Sequence, residues 1–379
     1  MTQPTAPTHQ LDLQYSEVEQ ELRGNVRALL AARAPQSAVL ARTESEQPVD
    51  TALWRALADE LGVTGLAVPE KLGGAGASWR ETAVVLEELG RAAAAVPFLG
   101  SAVLATAALL AVDESQLLPL VASGEQVAAL AVPFGTAPGG SFPATVRVGR
   151  DGLLTGSVRL VADARTADTV LVPALTDEGP ALYAVQAFAV APVVSLDMTR
   201  PLADLTFDAA AGRLLARGEA AEQAVRTALT TGAALLASEQ LGVAEWALET
   251  TVAYVKERHQ FGRPIGSFQA VKHRLADLWV AVAQLRAVAR SAADTLAAGP
   301  ADSAEVAVAA SLAQAFASQL VVTAAEEAVQ LHGGIGFTWE HPAHLYLKRA
   351  KSSSIALGRA DQHRAALAAL VDLPSPTAF

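Results

Sequence analysis

The sequence of 379 residues contains no cysteine, which excludes thiol nucleophiles, disulfides, iron–sulfur clusters and thiolate zinc sites. Basic residues are also scarce, because 28 lysines and arginines stand against 39 aspartates and glutamates, giving a net charge of -11. This charge argues against a nucleic-acid-binding protein, which needs a basic surface. No apolar run reaches the roughly 18 residues of a membrane span, and Met1–Leu13 lacks the basic-then-apolar pattern of a signal peptide. We therefore expect a soluble cytoplasmic protein without a membrane span.

Hydrophobic residues make up 51% of the sequence, and alanine is abundant among them. The spacing of the apolar residues changes twice along the chain. Apolar residues recur at helical spacing over residues 1–124, and we predict an N-terminal helical domain there. Residues 125–216 alternate with a period of two in short runs rich in Val and Thr, which predicts a middle β-barrel or sandwich domain of about seven strands. Long helices return over residues 217–379 and predict a C-terminal four-helix bundle. The expected fold class is a multidomain α+β protein.

The predicted bundle consists of helices at 222–257, 269–298, 302–332 and 343–371. Glycine-containing breaks separate these spans, as at Gly262-Arg263-Pro264 and Gly299-Pro300. Small residues run throughout the helices and allow their axes to approach closely, which gives the abundance of alanine a structural cause.

A basic segment stands at the end of the first long helix. Arg258 and Arg263 bracket the turn Phe261-Gly262. An arginine fork beside glycine suits a pyrophosphate, because it offers paired charge-assisted donors while glycine admits the ligand to the backbone. The alternative is that the basic residues only complement the negative end of the helix dipole, and residue type alone favours this alternative.

A glycine-rich segment, Gln330–Glu340, follows the third long helix. Gly333, Gly334 and Gly336 leave backbone N–H groups free to meet an anion or a flat cofactor. The segment follows a helix rather than a strand and lacks the Lys-Ser/Thr of a P-loop, so it matches neither nucleotide fingerprint. A simple helix cap and turn is the alternative. His341 and His344 stand three residues apart without a second cluster, and we predict no metal site.

Glu239 lies in a stripe of apolar residues and glycines on the first long helix. Burial in such a stripe should desolvate the carboxylate and raise its pKa, as a catalytic base requires. Two structural alternatives stay open: Glu239 pairs with a basic residue from a neighbouring helix, or it points towards a subunit boundary.

Taken together, these segments resemble the acyl-CoA dehydrogenase family across essentially the whole chain. The matching motifs are Trp54-x-x-Leu57, Gly65-Leu-Ala-Val-Pro-Glu70, Gly73-Gly74-x-Gly76, Glu87-Glu88-Leu89-Gly90-Arg91, Tyr254-x-x-Glu257-Arg258-x-Gln260-Phe261-Gly262-x-Pro264-Ile265, Gln269-Ala-Val-Lys-His273, and Gln330-Leu-His-Gly333-Gly334-x-Gly336-Phe337-Thr338 followed by Arg349-Ala350-Lys351. The order helical, β, helical is also that of the family.

The resemblance implies a homo- or hetero-oligomer, such as a tetramer, that holds FAD at a subunit interface. Arg258 and the segment Gln330–Gly334 match positions that reach the FAD of the neighbouring subunit, and Gln260 and Phe261 match further cofactor contacts. The implied reaction, part of fatty acid metabolism, is α,β-desaturation of an acyl-CoA thioester. A carboxylate removes the α-proton, the β-hydrogen passes to the flavin, and an electron-transfer flavoprotein is the expected electron acceptor.

Four departures from the family pattern affect the reaction centre. The usual base is a Glu-Gly pair, which this chain replaces with Leu357-Gly358, and the known alternative base position holds Gly232. The Thr-Glu-Pro strand motif reads Ala131–Gly135, and the Trp-x-Thr that flanks the flavin ring reads Leu160–Ala162. The contacts made to a neighbour's FAD are retained, whereas those around the chain's own flavin ring are eroded.

Two interpretations of function follow. The chain is an acyl-CoA dehydrogenase-like flavoprotein that performs or supports the desaturation, with Glu239 as a displaced base acting on a bulky substrate such as a sterol side chain. Alternatively, it is the non-catalytic partner in a hetero-oligomer and completes the FAD site of another chain. An oxygenase or nitroalkane-type oxidase is a weaker third option, in which Asp361 stands four residues beyond the lost base position.

Overall fold

The computed structural model describes residues 10–373, and its first part is helical. Its helices are α1 Glu17–Arg33, α2 Gln36–Thr43, α3 Thr51–Asp59, α4 Trp79–Arg91, α5 Thr106–Ala111 and α6 Leu118–Ala122, with a π-helical stretch at Phe98–Ala105. Two of these begin with capping boxes, in which the N-cap serine and a glutamate three residues later satisfy free N–H groups: Ser16 with Glu19, and Ser78 with Glu81.

The middle part is a mixed sheet of eight strands, one more than the sequence predicts. Its strands are β1 Ala128–Leu130, β2 Val146–Val148, β3 Leu154–Ala162, β4 Thr169–Thr176, β5 Gly179–Val185, β6 Ala189–Val193, β7 Leu202–Ala210 and β8 Gly212–Arg217. They pair in the order β6-β7-β3-β2-β4-β5-β8, and β1 joins β4 in parallel. Most neighbours are antiparallel, as in the β4–β5 pair that places Val170 opposite Val185.

Long helices form the C-terminal part. They are α7 Glu219–Glu257, α8 Gln269–Ala298, α9 Ala304–His332, α10 Ala343–Ser353 and α11 Ala360–Leu370, with a short hairpin of β9 His259–Gln260 and β10 Arg263–Pro264 after α7. The predicted single helix 343–371 is wrong, because the chain turns between α10 and α11. Leu357 and Gly358 adopt left-handed φ angles of 52° and 103° there, which end an α-helix.

Helix α7 runs through the core and packs against α4 at glycine contacts. A Cβ atom on Gly242 would lie 1.9 Å from the Glu87 carbonyl oxygen, and one on Gly90 would lie 2.1 Å from the Glu239 carbonyl oxygen. Only glycine permits this approach. The N-terminal and C-terminal helices therefore share one apolar core, and a second core lies within the sheet.

Among residues 10–373, one helix is long and apolar enough to cross a membrane by length and composition. It spans Ala304–Phe337, with a mean hydropathy of 1.6 in its most apolar window. In this structure it packs against α7, α8, α10 and α11, as a core helix of a bundle does.

Candidate functional site

The predicted cofactor residues of the basic segment stand on the hairpin that follows α7. Arg258 caps the C-terminal end of α7 and is exposed. Its backbone N–H donates to Tyr254 O, and its carbonyl oxygen accepts from the Ile265 N–H. Gln260 is exposed on β9. Phe261 has a φ of 53° and is 92% exposed, and Gly262 has a φ of 76°. The turn thus presents an aromatic ring outward.

The glycine-rich segment begins where α9 ends. Gln330 is exposed on the last turn of α9, and Gly333 ends the helix with a φ of 64°. Gly334 is exposed, and a Cβ placed on it would meet no atom within 4 Å. Open backbone of this kind is accessible to a flat or anionic ligand.

The structure brings the ends of α7 and α9 together through stacked rings. Tyr254 stacks on His332 with 4.5 Å between ring centroids. His332 donates from Nδ1 to Ala328 O at 2.6 Å and contacts the His341 ring at 4.4 Å. Burial, with His332 and His344 nearby, lowers the pKa of His341 to about 4. Within residues 10–373, no group of three His, Cys, Asp or Glu side chains could hold a metal ion.

Glu239 lies elsewhere, in a buried cluster of charges. Arg349 on α10 donates from Nε to Oε1 at 3.1 Å and from Nη2 to Oε2 at 3.2 Å. Arg200, just before β7, forms a second ion pair with Oε2, and the Ser353 hydroxyl donates to Oε1 at 3.3 Å. Burial acts to raise the pKa of Glu239, but the two arginines outweigh it and leave the pKa lowered.

The prediction from the sequence that burial raises the pKa of Glu239 is therefore wrong. Sequence reasoning detected the buried carboxylate but not its partners, because Arg200 and Arg349 come from distant segments. The first of the two structural alternatives describes the observed contact. The assignment of Glu239 as a base stays a prediction.

The same cluster joins the sheet to both helical parts. Arg349 also donates from Nη1 to Thr199 O at 3.2 Å and to Thr199 Oγ1 at 2.9 Å. Asp163, on the turn after β3, accepts from the Gly100 N–H at 2.8 Å, and burial raises the pKa of its carboxyl to about 6. The cluster therefore fixes how the three parts pack.

The two positions where the family carries its base meet in the structure. A Cβ atom on Gly232 would lie 2.4 Å from Leu104 Cδ2 and 2.9 Å from Leu357 Cδ1. Leu357 is fully buried. Hydrocarbon therefore occupies the place where the resemblance expects a carboxylate. The sequence did not indicate Leu104, because its approach to Gly232 depends on the tertiary packing of the π-helical stretch on α7.

The segments expected beside the chain's own flavin ring are hydrogen-bonded to one another. The Leu357 N–H donates to Phe134 O at 2.8 Å, and the Phe134 N–H donates to Leu160 O at 3.0 Å. Arg200 lies over the Phe134 ring, 5.3 Å from its centroid. These two N–H groups are therefore not available for hydrogen bonds to a flavin ring.

Comparisons with known proteins cover nearly the whole chain. The family description "Acyl-CoA dehydrogenase, N-terminal domain" matches residues 16–125, and "Acyl-CoA dehydrogenase, C-terminal domain" matches residues 221–371. Among curated proteins, "Acyl-CoA dehydrogenase IpdE2" of Mycolicibacterium smegmatis is 38% identical over 343 residues, which are 90% of this chain and 95% of the relative.

Two solved structures share the fold at similar identity. The "ChsE4-ChsE5 complex from Mycobacterium tuberculosis" gives a TM-score of 0.82 at 32% identity and covers 97% of this chain and 100% of that chain. A variant of the "Tcur3481-Tcur3483 steroid ACAD" gives a TM-score of 0.82 at 33% identity, covering 94% of this chain and 98% of that chain. The motifs, the fold and these relatives agree, and the chain belongs to the acyl-CoA dehydrogenase family.

Proposed function

We propose that this chain is the non-catalytic partner in a hetero-oligomeric acyl-CoA dehydrogenase, where it completes the FAD site of another chain. The observation that carries the proposal is the contact of Leu104 and Leu357 over Gly232. Removing the α-proton of a thioester needs a proton acceptor within hydrogen-bond reach of it. A leucine side chain cannot accept a proton, so the base must come from the partner.

The residues that would hold part of the partner's FAD are those exposed at the ends of α7 and α9. Arg258 makes no ion pair with any residue that the structure describes, so its guanidinium is available for charge-assisted hydrogen bonds to a pyrophosphate. Gln260 and Phe261 stand on the hairpin that follows α7, and Gln330 and the open backbone at Gly334 stand at the end of α9, which the Tyr254–His332 stack joins to the end of α7. When bound, FAD supplies the acceptor for the hydrogen removed from the substrate.

Exposed aromatic side chains support a partner at this corner. Phe261 on the hairpin is 92% exposed, and Phe337 and Trp339 in the segment after α9 are 83% and 60% exposed. Large apolar side chains gathered in this way are typical of a protein–protein interface.

The names of the related structures support a second, different chain and a bulky substrate. One is described as a complex of ChsE4 with ChsE5, and the other pairs Tcur3481 with Tcur3483 as a steroid enzyme. We accordingly propose an acyl-CoA with a bulky, steroid-like acyl group as the substrate of the assembled enzyme. Reoxidation of its flavin requires a separate acceptor, for which we propose an electron-transfer flavoprotein.

The interpretation in which this chain is active alone, with Glu239 as its base, has less support. Both carboxylate oxygens of Glu239 already accept hydrogen bonds from arginines, and its pKa is lowered. A carboxylate with a lowered pKa is a weak base, and these hydrogen bonds occupy the oxygens that would accept the substrate proton.

Absorption spectroscopy of purified chains tests the proposal. We expect the chain purified alone to be colourless, and to copurify with FAD when it is co-expressed with a family member from the same genome that retains the catalytic glutamate. In that complex, Arg258→Gln should lower the FAD content at least about tenfold, as loss of a charge-assisted contact implies. Lys256→Gln, an exposed cation on the last turn of α7, is the matched control and should leave the FAD content unchanged. A stable flavin spectrum of the chain alone, with substrate-dependent bleaching, would contradict the proposal.

A further inference from the structure

The hairpin after α7 carries a second arginine, Arg263, which has no role among the cofactor contacts proposed above. Phe261 and Gly262 both have positive φ angles, 53° and 76°, and form the tight two-residue turn that joins β9 to β10. Gln260 and Arg263 pair directly across this turn. The pairing fixes which side chains share a face of the hairpin.

Arg263 lies on the same face of the hairpin as Arg258. Residues paired directly across two strands share a face, and so do residues two apart along one strand. Arg263 therefore shares the face of its partner Gln260. Arg258 shares that face as well, because its backbone is extended and accepts a hydrogen bond from the Ile265 N–H at 2.8 Å. The two arginines are diagonal neighbours, a relation that places Cβ atoms roughly 7 Å apart.

The Arg263 guanidinium is held by an aromatic ring rather than by an acid. It lies over the Phe268 ring, 4.0 Å from the centroid, and Phe268 contacts the Phe261 ring at 6.2 Å in an edge-to-face arrangement. Within residues 10–373, the side chains of Arg263 and Arg258 form no ion pair and no hydrogen bond. Stacking uses the flat face of a guanidinium, so the N–H donors in its plane stay free for an anion.

The local charge also favours an anion at this face. Residues 256–263 contain three cations and one acid, whereas the whole chain has a net charge of -11. The acid, Glu257, is exposed and forms no ion pair with any residue that the structure describes. A diphosphate that links two groups carries two negative charges, and Arg258 alone offsets one of them.

We propose that Arg263 binds the pyrophosphate of the partner chain's FAD together with Arg258. This inference rests on the proposed function and adds to it a residue that the family motifs do not assign. Two guanidinium forks on one face donate paired, charge-assisted hydrogen bonds to different phosphate groups and match both charges. Because Phe268 already orients the Arg263 fork, less conformational entropy is lost on binding.

Titration of FAD into the assembled complex, after its own FAD has been removed, tests the proposal. The dissociation constant is read from flavin fluorescence at several KCl concentrations. We expect Arg263→Gln to weaken binding about tenfold, through loss of charge-assisted hydrogen bonds, and to make binding less sensitive to KCl, which screens charge contacts. Arg263→Lys, which keeps the charge but not the fork, should weaken binding less and keep the KCl dependence. Lys256→Gln makes the same change in charge nearby and should bind FAD as the wild type does.

Thermal melts of the chain alone separate binding from a structural effect. Arg263→Gln removes one exposed cation–π contact and should shift the melting temperature by no more than about 2 °C. A larger fall, or weaker FAD binding with an unchanged KCl dependence, would indicate a structural role and overturn the inference.

The arginine variants also distinguish this inference from the proposed function. If Arg258→Gln weakens FAD binding and Arg263→Gln does not, the inference is overturned and the proposed function stands. If neither variant changes FAD binding to the complex, both are overturned.

Discussion

Replacing Glu239 with glutamine separates the structural role of this carboxylate from a catalytic one. The change keeps the shape of the side chain but leaves the buried cations Arg200 and Arg349 without their shared anion. Breaking a buried ion pair by removing one partner costs about 3–5 kcal/mol, because the remaining charge is not compensated. For a protein of this size, whose unfolding entropy is about 2.1 cal/mol/K per residue, we expect the melting temperature to fall by roughly 4–6 °C.

The matched control is Glu249→Gln on the same helix. Glu249 pairs with Arg91 but is 57% exposed, so its loss should cost less than about 1 kcal/mol. Calorimetry of both variants, alone and in complex with the catalytic chain, measures the difference. In the complex, turnover per bound FAD should stay at the wild-type value for both variants.

The contribution of Glu239 to the stability of the folded protein should depend on pH in a defined direction. Because the pKa of Glu239 is lowered from 4.5 in the folded protein, its stabilising contribution is complete above that value and is lost as the pH falls below it. The Glu239→Gln variant should lack this acid-dependent loss. Unchanged stability together with abolished substrate-dependent bleaching of FAD would refute the structural account and identify Glu239 as the base.

Leu357→Glu should not make this chain a dehydrogenase, because the new carboxylate would be buried against Leu104. Substrate-dependent bleaching of FAD should stay absent in this variant. Bleaching by the variant chain alone would contradict the account. Gly242→Ala should strongly reduce soluble expression and lower the melting temperature, since its methyl group would overlap the Glu87 carbonyl; an unchanged melting temperature would show that α4 and α7 can separate. Because the pKa of His341 is lowered from 6.5 to about 4, stability should decline as the pH falls between these values, and His341→Gln should flatten that decline in thermal melts from pH 7 to 4.

The sequence predicted much of this fold because its signals are local. The spans 269–298 and 302–332 agree with α8 and α9 to within two residues, since glycine, proline and serine mark their ends. The break between α10 and α11 was missed because it depends on the left-handed backbone at Leu357, a residue that does not favour that conformation. The pairing order of the strands likewise depends on contacts between distant segments.

In the candidate site, too, local sequence signals were predictable, whereas contacts between distant segments were not. The family resemblance predicts that Arg258, Gln260, Phe261, Gln330 and Gly334 contact the cofactor, and this stays a prediction. The structure joins the two segments that carry these residues through the Tyr254–His332 stack. The environment of Glu239 could not be predicted, because both arginines that lower its pKa come from other parts of the chain. A carboxylate on an apolar stripe indicates burial, but only the tertiary structure shows whether a charge partner is present.

The central claim is that this chain lacks a working flavin site of its own and completes that of another chain. The most direct measurement is the visible absorption spectrum of the chain purified alone, compared with that of the complex formed with its catalytic partner. The account predicts no flavin absorbance for the chain alone, and for the complex a flavin spectrum that acyl-CoA bleaches. A chain that alone retains FAD, and whose FAD is bleached by acyl-CoA, would contradict it.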